Sequence, residues 1–99
     1  MIDAYLNRLI DILDTLDRGN IQTIAGIIKA TNTDRGQIYV FGNGGSASTA
    51  SHFAQDMNKM LGYRFICLND NVPSMTAYAN DTTYDQIFRR KDCPDALCY

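Results

Sequence analysis

The chain has no tryptophan, no glutamate, only one histidine and no long run of like charges among its 99 residues. We therefore do not expect non-specific binding to nucleic acid or to a membrane surface. No apolar stretch approaches the roughly 20 residues that span a bilayer, so no membrane segment is expected. The three cysteines, Cys67, Cys93 and Cys98, lack CxxC spacing. We interpret them as reduced thiols of a cytoplasmic protein.

The length of 99 residues, the net charge of −2 and the hydrophobic fraction of 45% are ordinary for one small globular domain. Apolar residues recur every three or four positions over residues 2–16 and again over residues 21–28. This spacing predicts a helical hairpin over residues 1–35, with Gly19 ending the first helix and Asn20 capping the second. Its apolar faces either cover a sheet or form a subunit interface, and the sequence favours neither.

A short apolar run at residues 38–41 breaks into the turn GNGGS, and a helical pattern follows up to Leu61 and Gly62. A second apolar run, YRFICL, occupies residues 63–68. Strand, helix and strand in this order predict a parallel βαβ core over residues 36–90. A short helix is predicted over residues 73–79, then a loop at Asn80 and Asp81, a helical piece over residues 83–90, and a tail over residues 91–99.

The turn GNGGS, residues 42–46, is called the glycine cradle below. It directs backbone N–H groups and a helix N-terminus at one spot, which attracts anions and oxygen-rich ligands. Further along the same helix, His52 and Asp56 lie four residues apart and so share one face. Such a pair can transfer protons near neutral pH or hold a divalent metal. The plainer alternatives are a turn that binds nothing and a solvated surface pair.

A rival interpretation uses the same turn. Gly42, Gly44 and Ala47 satisfy the pattern GxGxxA of dinucleotide-binding proteins, and Asp70 after the second strand could hold a ribose. Against this, Asp70 comes later than the usual spacing of about 20 residues. The two helices before the first strand are also not expected for that fold.

The stretches GNGGSASTASHFAQD and NVPSMTAYAND together resemble the sugar isomerase (SIS) domain family, and most of all its phosphoheptose isomerases. The resemblance covers residues 2–88, about the N-terminal half of a family member. It implies an α/β fold with a parallel sheet between helices, usually assembled as a homotetramer. It also implies interconversion of sedoheptulose 7-phosphate and a mannoheptose 7-phosphate for cell-surface heptose synthesis, with zinc as the cofactor.

The resemblance further implies a role for particular residues. A sugar phosphate would contact Asn43, Gly44, Gly45, Ser46, Asn80 and Asp81. His52 and Asp56 would be both metal ligands and catalytic residues. Asp56 stands where the family has a glutamate, which is one methylene longer.

The ligand set expected from these 99 residues is incomplete, because a catalytic zinc normally takes three protein ligands and the chain has no second histidine. Two predicted strands also leave an open sheet edge. We therefore expect this stretch by itself to be neither an active isomerase nor a stable monomer. The alternative within the family is a non-catalytic module that binds sugar phosphates as a sensor or adaptor.

Overall fold

The computed structural model describes residues 1–89, and the predicted tail with Cys93 and Cys98 lies outside these described residues. The chain divides into two compact units, Met1–Ala30 and the part from Thr31 onward. The fold class is mixed α/β, with four helices and one parallel sheet among the described residues, as the sequence predicts.

The first unit is helical. Helix α1 spans Ile2–Asp14, and helix α2 spans Arg18–Thr33, so that its last turn falls in the second unit. The carboxylate of Asp17 accepts the backbone N–H of Asn20 at 3.0 Å. That contact starts α2 before Gly19, so the prediction that Gly19 ends one helix and Asn20 caps the next is wrong. No residue of either helix is buried, although α1 is strongly amphipathic.

The second unit contains the predicted βαβ core. Strand β1 spans Ile38–Val40, helix α3 spans Gly45–Leu61, and strand β2 spans Phe65–Cys67. The two strands are parallel, with Ile38 opposite Phe65 and Val40 opposite Cys67. Both strands are shorter than the apolar runs that predicted them. Gly62 ends α3 in the left-handed conformation, with φ of 65°, as expected for a C-terminal cap.

The core lies between α3 and β2. Ala50 and Ala54 are buried on the helix, and Phe65 and Cys67 are buried on the strand. Small side chains on the helix let the strand approach closely, while the ring of Phe53 meets that of Phe65 edge-on, with centroids 5.4 Å apart. This packing holds the middle of α3 against β2.

The edge of β2 that faces away from β1 is closed by a side chain. The amide of Asn58 accepts the N–H of Phe65 at 2.8 Å and donates to its carbonyl at 2.9 Å. These two bonds imitate the ladder that a neighbouring strand would provide. An edge strand with satisfied backbone groups is a weaker template for aggregation.

Two short elements and one helix follow β2. A 3₁₀ turn spans Leu68–Asp70, helix α4 spans Val72–Asp81, and a second 3₁₀ turn spans Tyr84–Gln86. The carboxamide of Asn71 caps α4 by accepting the N–H of Ser74 at 3.2 Å. Within the described residues, no helix combines the length and the apolar composition needed to cross a membrane.

Two predictions in this segment are wrong. Asn80 and Asp81 form the last turn of α4 rather than a loop, because the helix closes only at Thr82, whose N–H and hydroxyl both bond the carbonyl of Tyr78. The helical piece predicted over residues 83–90 is a single 3₁₀ turn in the part that is described. Thr83 is extended and breaks the helical path before this turn, while Arg90 lies outside the described residues.

Candidate functional site

The glycine cradle needs glycine at two of its positions for different reasons. A Cβ on Gly42 would stand 2.6 Å from three atoms of Ser46, closer than real carbon contacts allow. Gly44 has φ of 56° and ψ of −124°, a region that side chains with a Cβ avoid. A Cβ on Gly45 would meet open space. The turn is therefore tight at Gly42, left-handed at Gly44 and open toward solvent at Gly45.

Ser46 holds the cradle in shape. Its hydroxyl accepts the N–H of Asn43 at 2.8 Å and donates to the carbonyl of Asn43 at 2.7 Å. The backbone N–H of Ser46 also bonds this carbonyl, at 3.1 Å. Because its proton is engaged inside the turn, the hydroxyl of Ser46 shapes the cradle rather than donating outward. Its predicted contact with a phosphate stays a prediction.

The cradle leaves donors open at the start of α3. The backbone N–H groups of Gly44 and Gly45 have no acceptor among residues 1–89, and neither does the side-chain amide nitrogen of Asn43. These are orphan groups of a helix N-terminus, where the helix dipole also favours negative charge. The arrangement suits an anion or a group rich in acceptor oxygens.

The sequence gives no sign of one residue that positions the cradle, Asn69. Its amide oxygen accepts the N–H of Gly42 at 3.0 Å, and its amide nitrogen donates to the carbonyl of Gly42 at 2.8 Å. This pair of bonds joins the end of β2 to the end of β1 across 27 positions of sequence. In the sequence, Asn69 opens the polar stretch Asn69-Asp70-Asn71, which predicts only that a strand ends there.

Replacing Asn69 by Asp should lower the free energy of unfolding by about 1–3 kcal/mol. The shape is kept, but the donor to Gly42 becomes a carboxylate oxygen that repels the carbonyl 2.8 Å away. Urea unfolding of the full-length protein measures the change. Asn71→Asp is the matched control, because its oxygen only caps α4 and aspartate caps equally well. Equal losses of unfolding free energy in both variants would contradict the proposal that the two Asn69–Gly42 hydrogen bonds hold the cradle.

His52 and Asp56 lie together on the exposed face of α3. The Nε2 atom of His52 is 3.4 Å from the Oδ1 atom of Asp56, and the side chains are 77% and 50% exposed. The pair borders a shallow depression of 460 Å³, together with Ser48, Thr49 and Phe53. An exposed pair of this kind adds at most about 0.5 kcal/mol of stability. Its side chains can therefore be replaced with little effect on the fold.

Asn80 and Asp81 are exposed at the end of α4, and the cradle is contacted by the segment that follows them. Their side chains contact each other, with Asn80 donating to Asp81 at 3.3 Å. Three residues further along, the hydroxyl of Tyr84 donates to Oδ1 of Asn43 at 2.6 Å. This bond attaches the end of the α4 segment to the cradle. The sequence interpretation did not include Tyr84.

A cavity of 680 Å³ lies elsewhere, between α3, β2 and the start of α4. Its polar rim includes Ser51, which donates to Asp70 at 2.8 Å. None of the predicted site residues lines it. The Ser51 bond takes one oxygen, Oδ1, of the Asp70 carboxylate that the dinucleotide interpretation would use for a ribose.

Comparisons with known proteins agree with this geometry. A sequence model of the SIS domain matches residues 4–93. The phosphoheptose isomerase of Thermodesulfovibrio yellowstonii is 38% identical over 76 residues, covering 72% of this chain and 38% of the relative. The phosphoheptose isomerase of Helicobacter pylori is 34% identical over 93 residues, covering 89% of this chain and 48% of the relative.

The fold has a solved counterpart. The structure of phosphoheptose isomerase GmhA from Neisseria gonorrhoeae superposes with a TM-score of 0.74 and 27% sequence identity. The match covers 88% of this chain and 49% of that one. The chain thus spans about half the length of these relatives, or less. Since the domain match extends over most of the chain and includes the cradle and the His52–Asp56 helix, the chain belongs to the SIS domain family.

Proposed function

We propose that the protein is a phosphosugar isomerase that interconverts sedoheptulose 7-phosphate and a mannoheptose 7-phosphate. The observation that carries the proposal is that one helix, α3, has a cradle of open donors at its start and the His52–Asp56 pair further along. Nε2 of His52 and Oδ1 of Asp56 are 3.4 Å apart. Relatives named phosphoheptose isomerase match over this same helix region.

The distance along α3 suits a sugar phosphate. Ser46 and His52 both lie in this helix, and a rise of 1.5 Å per residue separates them axially by about 9 Å. A phosphate at the cradle then places the carbonyl end of the sugar near the pair. The open N–H groups of Gly44 and Gly45 would bind the phosphate oxygens. The sequence-predicted residues Asn80 and Asp81 would contact the sugar from the α4 side.

The reaction moves a carbonyl from C2 to C1, through an enediol. A base removes a proton from C1 and a proton is returned to C2, while a hydroxyl proton passes from O1 to O2. Asp56 is the proposed base, because a carboxylate can accept the carbon-bound proton and give it back. His52 is proposed to move the hydroxyl proton between the two oxygens, since imidazole both donates and accepts near neutral pH.

We further propose that the pair holds a zinc ion when one is present, and Nε2 of His52 then binds the metal instead of moving the hydroxyl proton. Two atoms bound at about 2.0–2.2 Å to a tetrahedral ion lie about 3.3–3.6 Å apart. The separation of 3.4 Å between Nε2 of His52 and Oδ1 of Asp56 falls in this range. This separation is also that of an ordinary surface ion pair, so the ligand role of Asp56 stays a prediction. When bound, zinc would polarise the sugar oxygens and stabilise negative charge on them.

The described residues supply too few ligands for the proposed zinc site. Within residues 1–89, no group of three or more His, Cys, Asp or Glu side chains could hold a metal ion. His52 and Asp56 therefore supply two of the ligands.

We propose that the active protein is a homo-oligomer whose subunits meet over the site, which would cover the exposed pair. The amphipathic helix α1, with no buried residue, is the proposed contact surface.

A thermal shift experiment tests the substrate. Sedoheptulose 7-phosphate at about 100 times its Kd should raise the free energy of unfolding of the full-length protein by about 2.7 kcal/mol. NADH at equal concentration should give no comparable shift, because Asp70 comes later than the acidic residue of dinucleotide-binding proteins and two helices precede β1. Incubation with zinc and analysis of the sugar products then measures turnover.

The outcomes separate the candidates. Binding with turnover supports the isomerase, whereas binding without turnover supports the non-catalytic SIS module. A shift with NADH alone would overturn the proposal in favour of dinucleotide binding.

A further inference from the structure

We infer that Tyr84 is a positioning residue for ligand binding, which acts by fixing the orientation of the Asn43 carboxamide. The inference deepens the proposed function and rests on it. The contact that carries it is the hydrogen bond from the hydroxyl of Tyr84 to Oδ1 of Asn43, 2.6 Å long. It spans 41 positions of sequence, between the 3₁₀ turn Tyr84–Gln86 and the glycine cradle.

Burial does not explain this contact. Tyr84 is 61% exposed, so its side chain is not held in place as part of the core. Asn43 is also exposed. A hydrogen bond between two exposed side chains contributes little to stability, because water competes for both groups. Its effect is on orientation, since it holds the amide oxygen at the Tyr84 hydroxyl and leaves the NH₂ group facing away from the ring.

The other polar groups of Asn43 are already committed. Its backbone N–H and carbonyl both bond Ser46, and Tyr84 takes the side-chain oxygen. Among residues 1–89, the side-chain NH₂ of Asn43 has no acceptor. Asn43 therefore presents two N–H donors and no acceptor beside the open N–H groups of Gly44 and Gly45. This set of donors recognises a phosphate or another group rich in acceptor oxygens.

Without the Tyr84 hydroxyl the carboxamide loses this anchor and is free to rotate about its side-chain bonds. A rotated amide can direct its oxygen at the ligand, where it repels an anion instead of binding it. Loss of this preference should weaken binding by about three- to tenfold, as expected for one hydrogen bond. The bond at Asn43 does not change during the reaction, so the loss should appear in KM and leave kcat unaltered.

The test compares Tyr84→Phe with the unmodified full-length protein, because phenylalanine keeps the ring and removes only the hydroxyl. Calorimetry with sedoheptulose 7-phosphate and with inorganic phosphate should show the three- to tenfold rise in Kd for both ligands. The melting temperature without ligand should not change. Tyr63→Phe is the matched control: it removes a hydroxyl with no hydrogen bond in the described part of the chain, beyond the opposite end of α3. Its Kd should equal that of the unmodified protein.

A double-mutant cycle shows whether Tyr84 acts through Asn43. In the background of Asn43→Ala, adding Tyr84→Phe should weaken binding no further. A further loss would mean that Tyr84 contacts the ligand itself, and an unchanged Kd in Tyr84→Phe alone would show that the orientation is irrelevant. Either result overturns the inference.

The two proposals fail in different ways. If the unmodified protein binds inorganic phosphate but not sedoheptulose 7-phosphate, the proposed substrate is wrong, and Tyr84→Phe still tests the inference with phosphate. If it binds neither, both the proposed function and the inference are overturned.

Discussion

Replacing Asp56 by Asn should lower kcat for sedoheptulose 7-phosphate by about 10²- to 10⁴-fold, the usual contribution of a general base. The amide keeps the size of the side chain but cannot accept the proton from C1. The fold should survive, because Asp56 is half exposed and its contact with His52 is a surface pair. Turnover and circular dichroism of the full-length protein measure the two effects separately.

Asp34→Asn is the control for the change of charge alone, since Asp34 is exposed and lies outside the proposed site. It should leave kcat unchanged. Full activity in Asp56→Asn would show that another group is the base. Asp56→Glu restores the residue of the family motif, and we expect equal or higher activity. A large loss there would mean that this site has adapted to the shorter carboxylate.

The companion variant His52→Ala tests whether this histidine is a zinc ligand. We expect it to lower both the zinc retained after dialysis, measured by elemental analysis, and the turnover. The reason is that the proposed zinc site takes Nε2 of His52 and Oδ1 of Asp56, which lie 3.4 Å apart, as its two ligands from this helix. Zinc retention equal to that of the unmodified protein would remove His52 from the ligand set.

The second large effect is expected at the glycine cradle. Gly42→Ala should lower the free energy of unfolding by about 3 kcal/mol, the upper end of the range for inserting a methyl group into packed structure. The new Cβ would stand 2.6 Å from the backbone carbon, carbonyl oxygen and hydroxyl of Ser46. Backbone atoms cannot move aside as a flexible side chain can, so the turn itself must open. Chemical unfolding measures the loss, and phosphate binding should disappear with it.

Gly45→Ala is the matched control, three residues further along in the first position of α3. Its Cβ meets nothing within 4 Å, and alanine is the better helix former. Stability should stay level or rise, while the methyl group narrows the mouth of the cradle and weakens ligand binding. If Gly42→Ala and Gly45→Ala were equally stable, the close approach of Ser46 to Gly42 would not exist in solution.

Local chemistry explains which parts of this fold could be predicted. The cradle and the following helix can be predicted from the sequence because glycines cluster between a strand pattern and a helical one. The spacing of His52 and Asp56 is likewise fixed by helix geometry alone, and the structure places them 3.4 Å apart. The family assignment depends on the same local features and is confirmed by the match over residues 4–93.

The missed residues depend on distant contacts. The groups that form their hydrogen bonds meet only in the folded chain, at Asn58, Asn69 and Tyr84. In a sequence, asparagine most often indicates a turn or a solvated surface. The limits of α4 were wrong for a related reason, because Thr82 rather than Asn80 provides the terminal bonds. The individual roles of the site residues stay predictions until the variants above are measured.

Asn58 and Asn69 each bond the N–H and the carbonyl of one residue, but the two pairs of bonds close chain loops of different length. Asn58 reaches Phe65 across 7 residues, whereas Asn69 reaches Gly42 across 27. Loop closure for the longer connection costs about 1 kcal/mol more in chain entropy. The α3–β2 unit can therefore close with local contacts, whereas the cradle reaches its final shape only when β1 has docked. In a partly folded chain the scaffold would exist before the ligand site, and a bound phosphate would stabilise the last and costliest closure.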